Sequence, residues 1–78
     1  MPTAKEEMQR AFNGQGCIGK AHPDEPVFVL RAQDALAADL VEKWAIWAQS
    51  GGTPIDKVNE AFALAEEMRR WPTRKHPD

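Results

Sequence analysis

Glu25-Pro26-Val27-Phe28-Val29-Leu30-Arg31-Ala32-Gln33-Asp34 is the stretch on which the reading of the fold depends. Pro26 keeps helix from forming before it, and four consecutive apolar residues, Val27 to Leu30, then run without a spacer into a helix start. Their β-branched and aromatic side chains favour a short extended or β segment over 27–32, buried on both sides. Buried backbone must be hydrogen-bonded, yet no second convincing strand is legible in the chain. Three outcomes would resolve this: pairing with the stretch from Cys17 to Lys20, pairing with the same segment of a second protomer, or winding into the first helical turns. An intramolecular hairpin or a dimer-spanning pair is favoured.

Towards the C-terminus, Asp34 is a natural N-cap for a helix over 35–50, with Gly51-Gly52 as its stop. At helical spacing Leu36, Leu40, Trp44 and Trp47 fall within about 80° of each other, and Val41 and Ala48 widen this face into a core stripe. Asp39, Glu42 and Lys43 form the wet side, with Ile46 alone among them. Thr53-Pro54-Ile55-Asp56 opens a second helix over 54–71, Thr53 capping it and Pro54 at its first position. The apolar positions of that helix, from Ile55 to Trp71, sweep roughly 200°, more than a single packed face needs. It therefore requires two neighbours: the preceding helix in an antiparallel hairpin, and the extended segment, the N-terminal helix or another subunit.

Towards the N-terminus, Thr3-x-x-Glu6 is a capping-box pattern, and Ala4, Met8, Ala11 and Phe12 recur at helical spacing. Asn13-Gly14 ends that short helix, and Gly14, Gly16 and Gly19 predict an irregular loop running to the prolines at 23 and 26. The fold class is thus mainly α: an antiparallel helical hairpin (35–50 and 54–71) with a short N-terminal helix and a short extended segment (27–32). It reads as one domain over 1–78, with a looser region (1–24), a core (25–71) and a tail (72–78) that is ordered only where it docks.

A chain of 78 residues buries a modest fraction of its surface. Neither usual staple of small scaffolds is legible, since Cys17 is alone and no His/Cys spacing suits zinc, so a homo-oligomer is expected and metal ligands and cofactors are not. No apolar run approaches the ~18 residues of a membrane span, and the N-terminus lacks a signal-peptide pattern. A cytoplasmic protein is expected. The formal charge of -2 argues against general nucleic-acid binding, although Arg69, Arg70, Arg74 and Lys75 crowd the last ten residues.

Gly14-Gln15-Gly16-Cys17-Ile18-Gly19-Lys20 matches G-x-G-x-x-G and most of a P-loop. The context is wrong for nucleotide hydrolysis, because a helix precedes it and Ala21 stands where a hydroxyl should bind magnesium. It reads as a flexible loop presenting Lys20, or as a lid whose amides and Lys20 meet an anion. Arg31, Gln33 and Asp34 offer a forked donor, an amide and a carboxylate, a set that reads planar polar groups. Arg31 and Gln33 alternate about Ala32 and project from one face. Trp44, Trp47 and Trp71 read first as core, with Trp44 a candidate stacking platform. His22, His76 and Cys17 have no positioned acid or base, so no catalytic residue is assigned and an enzyme is not expected.

The motif Pro26-x-Phe28-x-Leu30-Arg31-Ala32-Gln33-Asp34, with Cys17-x-Gly19-Lys20 before it and Met68-Arg69-x-Trp71-Pro72 after it, resembles small uncharacterised proteins encoded by bacteriophages and prophages. The resemblance spans about 17–78 and implies a non-enzymatic accessory protein, acting in a bacterial host by binding something. Two functions follow as expectations. In one, an anionic small molecule, such as a nucleotide signal of host defence, is sequestered by Lys20, Arg31, Gln33, Asp34 and Trp44, with help from the C-terminal basic residues. In the other, a helical interaction module inhibits a host protein through Ile46, the wide face of the last helix and the Arg/Lys tail.

Overall fold

The computed structural model describes residues 3–76. Among them are four helices, α1 (Ala4–Phe12), α2 (Gly16–Lys20), α3 (Ala37–Ser50) and α4 (Ile55–Arg69), and no β-sheet. The fold is mainly α, and α3 and α4 form the hairpin.

At α1 the capping box forms in modified shape. The Thr3 side chain accepts the backbone N–H of Glu6 at 3.2 Å, while its hydroxyl donates to the Glu6 carboxylate at 3.1 Å. The glycine stretch departs from the expected loop by containing the short helix α2. Gly14 and Gly16 take φ of 71° and 75°, a left-handed region that glycine enters at little cost, and this reverses the chain. Gly19 then lies so close to the turn that a Cβ on it would stand 2.7 Å from the Gly14 carbonyl carbon. The glycines thus allow α2 to pack against α1.

Between α2 and α3 the chain is extended and irregular. Burial on both sides, expected for Val27 to Leu30, is overturned: Val27, Phe28 and Val29 are exposed, and only Leu30 and Ala32 dock against the hairpin. The proposed hairpin with Cys17 to Lys20 is also excluded, because those residues belong to a helix.

The helix expected from 35 begins at Ala37. Asp34 does take part, its Oδ1 accepting the N–H of Leu36 at 2.8 Å, but it caps a turn ahead of the helix, whose cap position is Leu36. α4 is likewise shorter than 54–71. Pro54 is its cap residue, Thr53 instead donates its backbone N–H to Ala48 at 2.9 Å, and Trp71 lies beyond its end.

The face of α3 that meets α4 differs from the expected stripe. The fully buried residues of α3 are Ala37, Ala38 and Ala45, whereas Leu36, Leu40, Trp44 and Trp47 are exposed. Ala38, Val41, Ala45 and Ala48 follow a 3-4-3 spacing, and Val58, Ala61, Ala65 and Met68 follow the same spacing on α4. Run antiparallel, the two series come into register, with Ala38 level with Met68 in one buried cluster. Small residues on α3 let the helices approach closely, and the bulk of the seam comes from Val58 and Met68 on α4. The large apolar residues of α3 lie to one side of that seam.

The tail docks. Lys75 donates its N–H to the Gln33 carbonyl at 2.8 Å and accepts the N–H of Ala35 at 2.7 Å, forming a parallel bridge at Asp34.

Candidate functional site

Leu30 and Ala32 alternate inward onto the cluster of Ala37, Ala38 and Met68, which leaves Arg31 outside. Gln33 follows on the same side, and Arg31 Nη2 donates to Gln33 Oε1 at 2.8 Å. The expected shared face of Arg31 and Gln33 is therefore present. Asp34 takes no part in the pairing, since its carboxylate is engaged by the Leu36 N–H.

The tail runs beside this stretch, its backbone bridging at Asp34. Arg74 donates to the Ala35 carbonyl at 3.3 Å and to the Arg69 carbonyl at 3.1 Å, and Lys75 is fixed by its backbone to Gln33 and Ala35. A guanidinium pair of hydrogen bonds to two carbonyls spans the C-terminal end of α4 and the turn before α3. The tail's Pro72 and its run of basic residues gave the only sequence signal for this, and they did not show where it would dock.

Lys20 and Trp44 are elsewhere. Lys20 ends α2, and among the described residues neither α1 nor α2 packs on α3 or α4, so no helix packing brings Lys20 to Arg31. Trp44 is half exposed on the α3 stripe with Leu40 and Trp47. A shallow polar depression of about 260 Å³, lined by Glu6, Gln9, Arg10, Asn13 and Gln15, contains none of the five candidates. His22 closes a turn, its Nδ1 accepting the Asp24 N–H at 3.1 Å.

A charged cluster missed in the sequence sits on the flank of the hairpin. Arg69 of α4 pairs with Asp39 at 3.0 Å, with Glu66 at 2.7 Å and with Glu42. The hydrogen bonds it donates to Glu42 and then Asp39 hold its guanidinium pKa above the ordinary value. Two of the residues read as a solvated face are thus tied to the neighbouring helix.

Chemically, the arrangement offers three things. Arg31 and Gln33 make a small hydrogen-bonded pair at the surface beside the docked tail. The segment from Pro26 to Leu30 makes no backbone hydrogen bond among the described residues, and Phe28 in its middle is 84% exposed. The third is the apolar stripe of α3. Compared with protein-family models, curated proteins and solved structures, the chain matches none.

Proposed function

We propose that this chain is a non-enzymatic interaction module, a small accessory protein of the phage type, that acts as an oligomer and recognises a host protein through the extended segment from Pro26 to Leu30. One observation carries the reading: among the described residues this segment's backbone N–H and C=O groups have no partner, and Val27, Phe28 and Val29 are presented to solvent. Unpaired extended backbone with β-branched and aromatic side chains is a template for strand addition, in which backbone bonds supply affinity and alternate side chains supply selectivity. Leu30 and Ala32 anchor the segment to the hairpin, so binding needs little further ordering on this side. The test is capture of a host protein by wild type, Phe28→Asp and Val29→Pro. Capture by wild type alone, with all three equally stable, supports the reading, and equal capture by all three sinks it.

A second reading is favoured by the docked tail. Arg31 and Gln33 share a hydrogen bond next to the backbone on which the tail docks, a forked donor and an amide suited to an anionic small molecule such as a nucleotide signal. Lys20 and Trp44 are not needed for it. A nucleotide panel should then give a thermal shift of several degrees with wild type and none with Arg31→Ala. Absence of any shift across the panel removes this reading and leaves the first intact.

A further inference from the structure

The stripe of Leu36, Leu40, Trp44 and Trp47 along α3 is an exposed apolar face that the seam between the helices does not explain. We infer that its occupant is the same stripe of a second copy of this chain, packed antiparallel about a two-fold axis near Val41 and Glu42. The inference makes the oligomer proposed above specific and does not depend on the target-binding segment.

The chain exposes 6327 Å², whereas a folded chain of its mass exposes ~4,700 Å². The surplus of roughly 1,600 Å² is about twice what each partner contributes to a standard stable interface. Its radius of gyration is 13.2 Å, against about 11.5 Å for a compact domain of this length. The buried side chains are mainly alanines, so the single chain is short of apolar burial while carrying two half-exposed or more exposed tryptophans on one helix.

A two-fold axis between Val41 and Glu42 sets Leu36 against the partner's Trp47 and Leu40 against the partner's Trp44, so each smaller residue meets a larger one. The same axis brings Asp39 beside the partner's Lys43, twice over, on the flank of the stripe. Asp39 is 80% exposed at its side chain, with one oxygen on Arg69, and can accept a second cation. A parallel arrangement instead stacks each tryptophan on its own copy and carries the Asp39 and Lys43 flanks of the two helices to opposite sides, where they do not meet. Charge and size therefore both select the antiparallel pair.

The experiment is sedimentation equilibrium at micromolar concentration, with circular dichroism as the check on folding. Wild type should sediment at twice its mass of 8.7 kDa. Leu40→Glu should sediment at the single-chain mass with its helical signal retained, because Leu40 is outside the seam with α4. Orientation is read by mixing Leu40→Cys with Trp44→Cys, each carrying Cys17→Ser. The antiparallel pair gives the mixed disulfide in excess over either homodimer. A monomeric wild type, a Leu40→Glu protein that stays dimeric, or homodimeric disulfides in excess each overturn the inference. Loss of the dimer in Leu40→Glu with target capture retained separates this inference from the role of Phe28.

Discussion

The backbone N–H of Lys75 donates to the carbonyl of Gln33 over 2.8 Å, so the C-terminal tail holds the stretch that opens α3. With the return bond from Ala35 and the Arg74 side-chain contacts, the tail satisfies several groups at the open end of the hairpin. Deleting residues 73–78 should lower stability by about 1–3 kcal/mol, since each net hydrogen bond contributes ~1 kcal/mol. Urea denaturation followed by tryptophan fluorescence reads the change, and an unchanged midpoint contradicts a docked tail.

Gly19→Ala tests the close contact between α1 and α2. Its Cβ would meet the Gly14 backbone at 2.7 Å, and backbone cannot move aside as a flexible side chain can. The helices should separate at a cost of about 1–3 kcal/mol. Because neither helix packs on α3 or α4, hydrogen exchange should speed up over 4–20 and stay unchanged over 37–69. Equal loss of protection in both regions would contradict the separation of the two pairs.

Ala45→Leu tests the alanine seam. Ala45 is 0% exposed, and the added carbons have no room between the helices. A loss of about 1–3 kcal/mol is expected, measured by urea denaturation. Ile46→Ser, one position along and exposed, should stay within ~0.5 kcal/mol of wild type. A reversed order would place the seam on another face of α3.

Arg69→Met removes the cation shared by Asp39, Glu42 and Glu66 and leaves three carboxylates near one another. The melting temperature should fall, and the gap to wild type should narrow in about 1 M salt, where the Debye length is ~3 Å. The sign with pH follows from the raised guanidinium pKa. Its contribution is present below the unfolded-state value and is lost only as pH rises through the higher folded value. Between neutral pH and about pH 11 the stabilisation by Arg69 should therefore persist. Loss of the difference from Arg69→Met within that window would show that the ion pairs are not its source.

The elements were legible where local chemistry decides them. Thr3, Asn13 and Gly51-Gly52 mark helix ends by capping and chain reversal, which act within a few residues. The face of α3 was not legible, because hydrophobicity weights Leu40 and Trp44 above Ala38 and Ala45. Close helix approach favours small residues, and which face meets α4 depends on the register of both helices. The glycine stretch departs from the expected loop for a related reason. Its positive φ values are local, but the contact of Gly19 with Gly14 forms only after the chain has folded back. Of the candidate site, the common face of Arg31 and Gln33 followed from alternation about Ala32, a local property. The arrival of Arg74 beside Ala35, from 39 positions away, had no local signature.

The bridge between the tail and the start of α3 has a consequence for the order of assembly. In the unfolded chain its partners are far apart, and closing that loop costs entropy that grows with the logarithm of its length. Once α3 and α4 are side by side, only Arg70 to Arg74 must be placed, and a long-range contact has become a nearly local one. The tail is therefore a clasp that closes on a finished hairpin. The Gln33 carbonyl gains its partner at that same moment, which ties the placement of the Arg31–Gln33 pair to the hairpin having folded.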